Sequence, residues 1–101
     1  MDHEAYVEAV LSLAEQVPPG RVTTYGALAD TLADRFGGGP RQVGRVLALH
    51  GGGVPWWRVV RADGTLPADH TDVAREHYLA EGTPRRPGGA VDLAAALWLP
   101  G

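Results

Sequence analysis

Apolar residues recur at three- and four-residue spacing near the start of the chain: Tyr6, Val7, Val10, Ala14 and Val17. That period lines one face of a helix and predicts one over residues 2–17, stopped by Pro18-Pro19-Gly20. Arg21-Val22-Thr23 is short and leans towards β structure. Thr24 is a good N-cap for a second helix, Tyr25 to Phe36, with Leu28, Leu32 and Phe36 turned inward. Gly37-Gly38-Gly39 breaks the chain. Pro40 suits the first turn of a third helix that runs to His50, where Gly51-Gly52-Gly53 ends it. Val54 to Arg61 reads as extended. Asp63-Gly64 is a turn signal, and Thr65-Leu66 the expected return strand. Thr71 is expected to cap a fourth helix reaching Glu81, closed by Gly82. Residues 83–89 are loop-like. The tail 91–99 is ambiguous, β by Val91-Asp92-Leu93 and helical by Ala94-Ala95-Ala96. The expected fold class is mainly α with a small β-hairpin, in the order of a winged helix-turn-helix, as one domain over 1–101.

The third helix has two unlike faces. Val43, Val46, Leu47 and His50 fall on one side. Arg41, Gly44, Arg45 and Ala48 follow an i, i+3, i+4, i+7 stripe on another. Glycine inside a helix costs about 1 kcal/mol relative to alanine. Gly44 therefore suggests close approach of a backbone, either a neighbouring helix or a DNA strand. Recognition helices dock on a duplex in this manner.

Composition narrows the classes. At 101 residues and 45% hydrophobic, the chain can build one modest core. No apolar run approaches the roughly 18 residues of a membrane span, so no membrane partner is expected. Met1-Asp2-His3-Glu4 is acidic and does not open a secretory signal, so a cytoplasmic protein is expected, associated with the nucleoid if bacterial. The absence of cysteine excludes a disulfide framework and a thiolate zinc site. No cofactor is expected. Net charge is −3, but its distribution is uneven. From Arg35 to Ala62 there is no acid, while Arg35, Arg41, Arg45, Arg58 and Arg61 fall inside. Such asymmetry marks a phosphate-binding face better than the total does.

The run Val54-Pro55-Trp56-Trp57-Arg58-Val59-Val60 resembles the active-site signature of the O6-alkylguanine-DNA alkyltransferases, Pro-Cys-His-Arg-Val. Trp56 stands at the position of the alkyl-accepting thiol and Trp57 at that of the following histidine. Two further anchors carry the resemblance. Val17-Pro18-Pro19-Gly20-Arg21-Val22-Thr23-Thr24-Tyr25-Gly26 is similar to the family's Pro-x-Gly-x-Val-x-x-Tyr, and Pro40-Arg41-Gln42-Val43-Gly44 to its Ala-Arg-x-Val-Gly. Together they span roughly residues 3–82, the DNA-binding half of those enzymes. The resemblance implies an alkyltransferase-like protein that recognises O6-alkylguanine in duplex DNA without repairing it. It would act as a monomer, bind the minor groove, flip the nucleotide, and mark the lesion for nucleotide excision repair proteins. The DNA-binding set it implies is Tyr25, Arg41, Gln42, Gly44, Arg45 and Ala48. The lesion pocket it implies is Tyr25, Pro55, Trp56, Trp57 and Arg58. Tyr25 would press on the phosphate beside the lesion, and Arg41 would fill the space of the extruded nucleotide. Arg58 would tie the site loop in place.

Strand alternation through this run predicts Trp56 and Trp57 on opposite sides, one in the core and one in the pocket. The resemblance also implies a place for Glu76 in the site's supporting network. Two departures bear on specificity: Trp57 in place of histidine, and the short acidic loop Pro67-Ala68-Asp69-His70. Rival readings are a winged-helix transcription regulator reading a fixed sequence and, far behind it, a hydrolase using His50, His70 or His77. Neither a nucleophile elbow nor His-Glu-x-x-His spacing supports the second.

Overall fold

The computed structural model describes residues 3–101; the expected helix start at residue 2, and Met1 and Asp2 of the acidic opening, lie outside them. Helix α1 (His3–Gln16) buries Tyr6, Val10 and Ala14, which confirms the apolar stripe. Helix α2 (Tyr25–Phe36) begins where Thr24 accepts the Ala27 N–H at 3.0 Å, as a side-chain N-cap should. Helix α3 (Pro40–His50) opens on proline and buries Val43, Val46 and Leu47, while His50 stays exposed. Helix α4 (Thr71–Glu81) buries Ala74 and Tyr78. Thr71 does not cap it. A single 3₁₀ turn at Ala68–His70 runs straight into the helix, the Thr71 N–H already bonds the Ala68 carbonyl, and its hydroxyl reaches back to Pro67 O at 3.5 Å. The ambiguous tail uses both tendencies. Val91 bridges antiparallel to Arg85, and Leu93–Ala96 form a one-turn helix, α5.

The sheet differs from the expected hairpin. Strand β2 (Val59–Val60) pairs in parallel with β1 (Thr23–Thr24), in register Thr23 to Val59 and Thr24 to Val60. The Thr65-Leu66 limb contributes one ladder bond, Arg61 N–H to Thr65 O at 2.9 Å. Its own donors go elsewhere. The Thr65 N–H and hydroxyl both bond Asp63 Oδ1, and Pro67 has no N–H to offer. Gly64 fixes the turn. Its φ is +81°, and a Cβ there would lie 2.3 Å from the Val91 carbonyl oxygen, so only glycine fits.

Two hydrophobic clusters flank this ladder. The larger unites α1, α2 and α3 and includes Val59; the smaller gathers Val22, Val60, Ala74, Tyr78, Val91 and Ala96. Adjacent strand residues point to opposite faces, so Val59 serves one cluster and Val60 the other. Both are fully buried.

Candidate lesion-binding site

Val54 is extended, but the run from Pro55 to Arg58 is not. Pro55 starts a 3₁₀ turn over Trp56–Arg58, with Arg58 N–H on Pro55 O at 3.0 Å. Three residues per turn sends three successive side chains in three directions, not two. Trp56 faces a cavity, Trp57 faces α4, and Arg58 turns towards the end of α1. Both indoles are half-buried, so neither is a pure core residue.

The cavity encloses about 210 Å³. That is below the roughly 300–1,000 Å³ of a drug-sized site, the scale of a single planar ring system. Tyr25, Gly44, Leu47 and Ala48 form one wall, Gly51 and Gly52 the end, and Trp56, Leu66, Pro67 and His70 the other wall. It lies on the seam between the two clusters: Tyr25 and Leu47 belong to the first, Trp56 and Leu66 to the second. His70 leans on Trp56, ring centroids 5.4 Å apart. Burial pushes the Tyr25 phenol above its usual range, partly offset by the nearby Arg61 charge. Tyr25 therefore keeps its proton at neutral pH.

Of the expected pocket residues, Tyr25 and Trp56 line this cavity. Pro55, Trp57 and Arg58 do not; they border a shallow opening beside Glu15. Leu47, Gly51, Gly52 and Leu66 are lining residues that sequence reasoning missed, while Pro67 and His70 belong to the acidic loop expected to bear on specificity. The triple glycine reads as a helix stop, and nothing in the sequence shows loop 66–70 folding back over α3.

The expected DNA-facing residues share one surface. Arg41, Gln42, Arg45 and Ala48 are exposed along α3, with Gly44 between them. Among the described residues the ion pairs are Arg58–Glu81 and a long His70–Asp69 contact, so no carboxylate neutralises Arg41 or Arg45. Arg41 sits in the first turn, where the helix dipole disfavours a cation, leaving its charge available to an anion. Gln42 also has a local duty: its Oε1 accepts the Gly39 N–H at 2.9 Å. A Cβ on Gly44 would meet only the Tyr25 ring edge at 4.0 Å. No neighbouring helix crowds Gly44, which removes one of the two reasons for a glycine there.

Arg58 is structural, as the resemblance implies. Its guanidinium forks onto both Glu81 carboxylate oxygens, at 3.1 and 2.6 Å, and donates to the Val17 carbonyl at 3.0 Å. Glu81 also accepts from Trp57 Nε1–H at 3.1 Å and from Gly20 N–H at 3.3 Å. Burial would raise the Glu81 pKa, but the Arg58, Gly20 and Trp57 donors together hold it below the ordinary glutamate value. The supporting carboxylate is thus Glu81. Glu76, expected in this role, is solvent-exposed on the other side of α4. Tyr78 donates to the Trp57 carbonyl at 2.5 Å, and burial holds its phenol protonated. His70 and His77 both pack against Trp56, and no group of three or more metal-ligating side chains occurs among the described residues.

A helix-turn-helix with an arginine stripe beside a base-sized apolar cavity defines the class, and comparison with known proteins places the chain within it. The family described as "6-O-methylguanine DNA methyltransferase, DNA binding domain" matches residues 5–82, and the chain belongs to this family as an alkyltransferase-like member. It is 34% identical over 102 residues to the "DNA base-flipping protein" of Escherichia coli, covering 94% of this chain and 75% of that protein. A "DNA base-flipping protein" of Vibrio parahaemolyticus is 28% identical over 101 residues, covering 96% and 99%. Among solved structures, S. pombe Atl1 in complex with damaged DNA containing O6-carboxymethylguanine superposes with a TM-score of 0.81 at 25% identity, over 99% of this chain and 100% of that one. S. pombe ATL in complex with DNA gives 0.80 at 26% identity over the same shares.

Proposed function

We propose that this chain is a non-enzymatic sensor of O6-alkylguanine in duplex DNA. It binds the minor groove through α3, rotates the damaged nucleotide out of the stack, and holds the base in the cavity walled by Trp56. The carrying observation is the base-sized cavity lined by Gly44 and Ala48 of α3, the helix that also carries Arg41 and Arg45, in a chain with no cysteine to accept an alkyl group. Flipping costs a few kcal/mol, least for a weakly paired base. Stacking on an aromatic wall returns about 1–3 kcal/mol per base. A modified guanine pairs poorly, so the balance favours capture at the lesion. Gly44 lets the duplex backbone approach the helix, Arg41 fills the vacated stack, and Arg45 with Arg61 meets phosphates. The held complex marks the site for nucleotide excision repair proteins.

The test is a titration against matched duplexes with and without O6-methylguanine, run beside an assay with labelled alkyl groups. The lesion should tighten binding roughly tenfold or more, the equivalent of about 1.4 kcal/mol of stacking. The label should stay on the DNA. Affinity that follows base sequence and ignores the lesion would favour a transcription regulator. Stoichiometric label on the protein would end the reading outright.

A further inference from the structure

His77 lies outside the cavity but packs against the tryptophan pair, one member of which, Trp56, walls it. Trp57 lies flat on the His77 imidazole, with ring centroids 3.5 Å apart and planes 3° from parallel. The Trp57 edge is held separately, by Nε1–H to Glu81. His77 and Glu81 are four residues apart on α4, hence on one face of the helix. One fixes the face of the indole and the other its edge. A ring gripped at both has no freedom left at either side-chain torsion. Trp57 then meets Trp56 edge to face, at 5.6 Å and 86°, and His77 reaches Trp56 itself edge-on, at 6.3 Å and 83°.

We infer that His77 is a positioning residue for lesion recognition: its flat imidazole orients Trp57, and through it sets the plane of Trp56 against which the flipped base stacks. The inference rests on the sensor reading above. A stacking wall works only if its plane is fixed before the base arrives, because a rotating indole must be ordered at the moment of binding. Trp56 stands on a three-residue 3₁₀ turn and is half-buried, so its own backbone cannot supply that order. That order comes from the rings packed on it: His70 at 5.4 Å on the cavity side, and Trp57, backed by His77 of α4, on the other. Planarity is the property that matters, not volume or charge.

The test compares His77→Leu, which fills the space without a flat face, with His77→Phe, which keeps the flat face without hydrogen-bonding groups. Two quantities are read on folded protein, checked by thermal unfolding. One is the exciton couplet of the Trp56–Trp57 pair in circular dichroism of the free protein. The other is the ratio of affinities for duplexes with and without O6-methylguanine. H77L should lose most of the couplet and lower the ratio by roughly three- to tenfold, leaving plain-duplex affinity unchanged. H77F should retain both. An H77L protein with a wild-type couplet or a wild-type ratio overturns the inference, as does loss of both in H77F. If wild type itself shows no lesion preference, the sensor reading fails, and the inference about lesion recognition fails with it; the couplet still reports separately whether His77 orients the pair.

Discussion

At the scale of single residues, chemistry and support divide cleanly along the Trp56-Trp57-Arg58 turn. Trp56 meets the cavity, while Trp57 and Arg58 hold the turn to α4 and to the end of α1. This division gives Trp56→Ala a specific signature. Affinity for alkylated duplex should fall by about 1–3 kcal/mol, with less effect on plain duplex. Phosphate contacts stay in place, so the dependence of log K on log salt should keep its slope. Stability should drop by about 2 kcal/mol, less than the roughly 3–5 kcal/mol of a fully buried aromatic, because the indole is half-exposed. Binding titrations beside thermal unfolding separate the two effects. A folded variant with an unchanged damaged-to-plain ratio would remove Trp56 from the pocket. Tyr25 and Trp56 were legible in the sequence because each sits in a motif. Leu66 was not, and Pro67 and His70 were legible only as part of a loop bearing on specificity, because their reach to the cavity depends on the path of that loop, which residue type does not encode.

At the scale of elements, four helices were legible to within a residue or two, since each has an apolar stripe and a proline, threonine or glycine at its ends. The strand pairing was not. Local reading favours the hairpin across Asp63-Gly64, but Asp63 takes the Thr65 donors and Pro67 removes another, so β2 pairs with the distant Thr23–Thr24 instead. Strand periodicity likewise failed for Trp56–Arg58, where Pro55 tightens the chain into a 3₁₀ turn. Within α3, Gly44 is the informative position. A Cβ there would make only ordinary contact with Tyr25 at 4.0 Å. Gly44→Ala should therefore stabilise the free protein, by up to about 1 kcal/mol from helix propensity. If a duplex backbone presses on that surface, the same substitution should weaken binding to damaged and plain DNA alike, by roughly tenfold. Higher melting temperature with weaker binding is the expected pair of results. Unimpaired binding would mean the backbone does not come this close.

At the scale of the whole molecule, Arg58 and Glu81 join the C-terminal end of α1, the site turn and α4 in one hydrogen-bonded knot. Glutamine keeps one acceptor oxygen but removes the charge and turns the other oxygen into an NH2 facing donors, so Glu81→Gln strands the largely buried guanidinium and one of the Trp57 and Gly20 donors and should cost roughly 3 kcal/mol at neutral pH. The pH dependence follows from the lowered carboxyl pKa. In the unfolded chain Glu81 titrates near about 4.3. Its contribution is complete above that value and is lost as pH falls through the lower folded-state value. Wild type should thus lose melting temperature steeply below about pH 4, and E81Q should show a shallower acid slope in parallel melts. Equal slopes would assign the acid sensitivity to other carboxylates. The two hydrophobic clusters have a mechanical consequence as well. They meet across a ladder only two residues long, and the cavity is the gap between them. Its width is therefore set by the angle at which one cluster is seated on the other, and that angle is held by the two-residue ladder together with the Arg58–Glu81 knot that spans it.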